Sequence, residues 1–190
     1  MIPLIGDLHP VRILLDGSAG LVVLALHGLF LALAAKALGD PGPTFDGRLT
    51  GDPTEHVDLY ALIGMVLTQF AWLKPMDIRA SDIRGGWAGI LVACLTALVA
   101  TWVLGRIVMA GRGLVIAIAP PDLLQIAEAW LFTFVRFSDR IALFNLLPVF
   151  SLTAAHAVRG FLPAPLRATG PLVSALTLAL AIVVKLWIWR

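Results

Sequence analysis

The stretch Ala25–Gly64 reads ALHGLFLALAAKALGDPGPTFDGRLTGDPTEHVDLYALIG, and its changes of character decide the fold. Up to Ala35 it is apolar and uncharged, with one histidine, His27, inside it. From Gly39 to Asp58 it turns polar, carrying Asp40, Asp46, Arg48, Asp52, Glu55, His56 and Asp58 together with Pro41, Pro43 and Pro53. From Leu59 it is apolar again. Two apolar runs around a proline-punctuated polar segment predict two membrane helices joined by a structured loop or small hairpin over residues 39–58.

The rest of the chain has the same character. Its 190 residues are 59% hydrophobic and 14% charged, with mean hydropathy +0.93. Soluble domains are about 45–50% apolar and about 25% charged. A net charge of +2 is too small to indicate a nucleic-acid partner. The single cysteine, Cys94, excludes an intrachain disulfide and a cysteine-rich metal site, and reads as a small packing residue.

Five uncharged runs are candidate spans: Gly17–Ala35, Leu59–Leu73, Gly85–Gly105, Ile141–Val158 and Ala168–Val184. Lys185 is placed to snorkel from the end of the last. Trp72, Trp87, Trp187 and Trp189 are placed as interfacial anchors. The residues before the first run, Met1–Val11, contain Asp7 and no Lys or Arg, so the first run is not expected to be a cleaved signal peptide. If all five runs cross, the basic residues divide evenly between the two sides and fix no orientation. Residues 121–137 begin with Pro121 and Asp122 and alternate polar and apolar positions as an amphipathic helix does. Carrying that helix on through Arg136, Asp139 and Arg140 would put three charges deep in lipid, so a break near Ser138 is expected. The expectation is an all-α polytopic membrane protein, one membrane domain over 1–190, with roughly four to six spans and a linker over 74–84.

The order of short motifs resembles the site-2-protease family of membrane zinc metallopeptidases. Members carry HExxHA, then LGDP, GRLT and Pro-x-x-His; here stand His27, Gly28 and Leu31, then Leu38–Pro41, Gly47–Thr50 and Pro53 with His56. AWLKPMDI at Ala71–Ile78 resembles the family's Trp-x-Lys-Pro linker. WAGILVA at Trp87–Ala93 stands where the family has AGPxxN, and LFNLLPVFSLTAAH at Leu143–His156 resembles NLLPxxPLDG. The resemblance implies a site-2-protease-like core, a catalytic zinc on two histidines and one aspartate, and a glutamate as general base.

The chemistry-bearing positions differ. His27 keeps the first ligand, but Leu31 stands for the second, Thr153 for the aspartate and Gly28 for the base. Ala93 replaces the asparagine of AGPxxN, while Asn145 of the last motif is kept. One surviving ligand cannot hold zinc, which takes three from the protein in catalytic sites. The expectation is a pseudoprotease without zinc or other cofactor. It would serve as an accessory subunit or assembly factor of a larger membrane complex, with other integral membrane proteins and the lipid bilayer as partners, in a bacterial inner membrane. Two alternatives follow from the histidines. A metal site could be rebuilt from His27, His56 and His156, giving residual intramembrane proteolysis with atypical ligands. A tetrapyrrole could take His27 as axial ligand, with Gly28 leaving room for a flat ring. Otherwise His27 would bond a hydroxyl of a facing helix, with Thr68 and Thr153 as candidates.

Overall fold

The computed structural model describes residues 9–149, 151–161 and 171–188. Among these the chain is helical, with no strand. The helices are α1 (Pro10–Ala37), α2 (Gly42–Phe45), α3 (Pro53–His56), α4 (Leu59–Thr68), α5 (Trp87–Ala110), α6 (Arg112–Ile118), α7 (Pro121–Phe144), α8 (Ala155–Val158) and α9 (Pro171–Ile188). The segment 39–58, expected as a structured loop or small hairpin, holds two short helical turns, α2 and α3.

Two helices, α1 and α5, are long and apolar enough to cross a membrane. At 1.5 Å per residue the 28 residues of α1 reach about 42 Å, beyond a hydrocarbon core of about 30 Å. Pro10 starts α1, where a missing N–H costs nothing. Its end is a Schellman turn: Gly39 N–H donates to Lys36, Asp40 N–H donates to Ala35, and Gly39 takes φ +105°. This gives the Leu38–Pro41 block a role in the fold itself.

The loop after α1 and the segment before α5 form one cap over the helices. Asp40 accepts from Gly42 N at 2.8 Å and from Arg79 N at 3.1 Å. Arg48, buried, donates to the carbonyls of Glu55 and Pro75. Lys74 N donates to His56 O and Arg84 N to Leu38 O, each at 2.8 Å. Beneath the cap, α1, α5 and α7 pack around Val23, Leu24, Leu31, Ala93, Phe137 and Ile141. Small residues permit the close crossings: a Cβ on Gly20 would lie 2.5 Å from Met65 Sδ and 3.1 Å from Phe137.

Several expectations are corrected. The break near Ser138 is absent, and α7 runs unbroken to Phe144. The charges that argued for a break have partners. Arg106 of α5 donates to both oxygens of Asp139 at 2.7 Å, Arg140 donates to Gln69 Oε1, and Arg136 donates to Thr133 Oγ1 at 3.0 Å. One ion pair and two hydrogen bonds lower the cost on which that expectation rested. The run Ile141–Val158 is not one helix: α7 ends at Phe144, turns occupy 145–149 and 151–154, and α8 follows. The Leu59–Leu73 run is helical only to Thr68, because Gln69 turns left-handed with φ 60°. Lys185 does not snorkel; it is buried, facing the bundle. Trp72 is likewise buried rather than interfacial, whereas Trp87 and Trp187 are exposed. Trp189, Met1–Leu8 and residues 168–170 of the fifth run lie outside the described residues.

Candidate functional site

The positions singled out by the motif comparison converge where α1, α5 and the end of α7 meet. His27 is fully buried. Its Nδ1 lies 2.7 Å from Thr101 Oγ1 on α5 and its Nε2 lies 2.8 Å from Thr153 Oγ1. The Thr101 hydroxyl also lies 2.7 Å from the Ala97 carbonyl one turn back. Its single proton goes to that carbonyl, so toward His27 it can only accept. Nδ1 then carries the imidazole proton and Nε2 the lone pair. Thr153 donates to that lone pair at 2.8 Å in preference to Asn145 Oδ1 at 3.3 Å. The result is a neutral imidazole with both nitrogens engaged. Thr153 matches one of the two hydroxyls expected for His27. Thr68 instead donates to Gly64 O in its own helix. Thr101 was missed, although a hydroxyl within the long uncharged run Gly85–Gly105 was the available signal.

Thr153 is fixed on every side. Its N–H donates to Asn145 Oδ1 at 3.2 Å, and its carbonyl accepts from Cys94 Sγ at 3.2 Å. Asn145, also fully buried, spends its amide hydrogens on Ala71 O at 2.8 Å and Ile141 O at 3.0 Å. A continuous hydrogen-bonded chain thus joins residues 71, 145, 153, 27, 101 and 97. Leu31 and Ala93 are buried apolar members of the core around it.

The Gly28 position is already filled. A Cβ built there would fall 2.2 Å from Nδ1 of His56 and 2.7 Å from its Cγ. The cap carries the His56 ring into the space beside α1 that any larger side chain at 28 would claim. His56 Nε2 donates to Thr50 O at 2.8 Å, leaving Nδ1 as a buried lone pair with no hydrogen-bond donor near it. Burial pushes the His56 imidazole below its ordinary value near 6.5. The unfolded chain protonates His56 more readily than the folded one, so its contribution is present above about pH 6.5 and is lost as pH falls through the depressed folded value. Thermal stability in detergent is expected to drop from about pH 7 to pH 5, and the drop to shrink in His56→Gln. An equal drop in both proteins would remove His56 from this account.

The three histidines do not assemble into one ligand set. His156, on α8, has the Arg159 and Arg48 guanidinium groups acting on it, which disfavours a divalent cation beside it. No group of three or more His, Cys, Asp or Glu converges among the described residues. The donors around His27 are two hydroxyls, one already bonded to a carbonyl, and these do not fit a catalytic zinc ion.

No family model and no solved structure matches the chain. Among curated proteins it is similar to "Putative zinc metalloprotease YwhC" of Bacillus subtilis (strain 168). The two are 26% identical over 157 residues, which cover 78% of this chain and 69% of that protein. This distant likeness supports a metallopeptidase-like relationship.

Proposed function

We propose that the chain is a non-catalytic relative of the site-2-protease family. In this reading it acts as an accessory subunit or assembly factor for other integral membrane proteins in a bacterial inner membrane. The observation that carries the reading is the His56 ring seated against Gly28, where the family's motif would place its base. Proteolysis through a metal-bound water needs a general base and an open coordination position. Here the first is a glycine, and His27 offers hydroxyl-bonded nitrogens instead of a free lone pair. The same engagement of both His27 nitrogens argues against axial ligation of a tetrapyrrole. The retained 39–58 block fits this view, because its Schellman turn and the Asp40 and Arg48 bonds hold the cap together without any reaction. The membrane core is read as roughly four to six helices, with α4, α7 and α9 completing the bundle around α1 and α5.

Purification in a mild uncharged detergent from its own source tests the accessory role. Co-migration with a defined set of membrane proteins, at fixed ratio through two separations, is the expected result. Migration alone as a single chain would contradict it.

A further inference from the structure

The buried Lys185 belongs to a basic cluster at the end of the bundle remote from the cap. Met65 packs at Gly20, Gln69 bonds Asp16 and Ser174 bonds Asp58, so α4 and α9 both run opposite to α1. This brings Arg12 and Asp16 of α1, Gln69 at the end of α4, Arg136 and Arg140 of α7, and Lys185 of α9 to one place. Asp16 is buried, and Arg12 Nε lies 3.6 Å from its Oδ2. Gln69 Nε2 donates to the same oxygen at 2.7 Å while Gln69 Oε1 accepts from Arg140. Among the described residues the guanidinium groups of Arg136 and Arg140 both bear on this one carboxylate. Gln69 is also the one non-glycine with positive φ among them, a conformation that costs energy and is held by these bonds. Asp16 Oδ1 is buried without a hydrogen bond, with Arg136 Nη2 4.0 Å away.

An apolar groove begins at this cluster. It holds about 340 Å³ and is lined by Phe70, Arg140, Leu143, Phe144, Leu147 and Val184. Arg140 forms its polar end, and successive turns of α7 lead from there toward the middle of the bundle. Lys185 lines a narrow cleft with Arg12, Asp16 and Gln69. Two guanidinium groups, Arg136 and Arg140, above an apolar groove between helices match an amphiphile with an anionic head and an acyl tail.

We propose that this end of the bundle binds an acidic membrane phospholipid. Its phosphodiester lies against Arg140 and Arg136, and an acyl chain fills the groove between α7 and α9. The site is independent of the His27 region and of whether the protein has a catalytic role.

The test uses the whole chain, delipidated in uncharged detergent and titrated with phosphatidylglycerol or phosphatidylcholine of identical acyl chains, read by native mass spectrometry. Phosphatidylglycerol is expected to bind more tightly. Arg140→Gln weakens it about fivefold and Arg136→Gln/Arg140→Gln further, with phosphatidylcholine little changed. Leu143→Trp, at an exposed position that leaves the core intact, weakens both lipids by filling the groove. Equal affinity for the two lipids would overturn the proposal, as would phosphatidylglycerol binding unchanged by these variants. Inorganic phosphate binding as tightly as the lipid would reduce the site to an anion site and also overturn it.

Discussion

Gly28→Ala is expected to destabilise the folded protein by about 1–3 kcal/mol, the usual cost of forcing an extra carbon into a packed interior. The new methyl would sit 2.2 Å from His56 Nδ1 and 2.7 Å from its Cγ, so α1 or the cap must shift to admit it. For a protein of this size the melting temperature should fall by about 2–4 °C per kcal/mol. Gly17→Ala in the same helix is the control. Nothing lies within 4 Å of a Cβ there, so it should gain about 0.5–1 kcal/mol from helix propensity. Gly28→Glu should cost more than alanine, since it adds a carboxylate to the same overfilled space. Gly28→Ala combined with His56→Ala should be less destabilised than the sum of the two single variants, because removing the ring removes the clash. Strict additivity would mean that the ring does not occupy the space beside Gly28.

Asn145→Leu is expected to cost about 3 kcal/mol, and Asn145→Asp more. The leucine keeps the volume but strands the Ala71 carbonyl and the Thr153 N–H, each a buried group whose loss of a partner costs about 1–3 kcal/mol. The aspartate still accepts from Thr153 N–H, yet it points acceptor oxygens at the Ala71 and Ile141 carbonyls. At neutral pH it must either stay charged against them or take up a proton. Melting curves in detergent should rank wild type above Asn145→Leu above Asn145→Asp. The gap between the two variants should narrow in acid, where a protonated carboxyl can donate. Tolerance of both would show that the 71–145–153 chain does not hold the end of α7.

These effects also mark what could be read from the residues. The Leu38–Pro41 block and the first and third apolar runs were legible because their signals are local: a glycine that stops a helix, a proline behind it, an unbroken apolar run. The grouping of His27, Asn145 and Thr153 was legible through motif order. The continuity of α7 was not, because the groups that bond Arg140 and pair with Asp139 are Gln69 and Arg106, far away in the chain. Lys185 misled for the same reason: a lysine at the end of an apolar run reads as a snorkelling residue unless the acidic and basic groups facing it are known. His56 was legible as a histidine near the pocket, but not as the group filling the space at Gly28. That depends on the cap folding back over α1, which no periodicity in residues 39–58 encodes.

The central claim is that hydroxyls, not a metal, hold His27, and that the pocket beside it is closed. The most direct measurement is the metal content of the full chain, expressed with ample zinc, purified without chelator and assayed by inductively coupled plasma mass spectrometry beside His27→Ala and His56→Ala. The account predicts no stoichiometric zinc in any of the three proteins. One zinc per chain in the wild type, lost in His27→Ala, would contradict it.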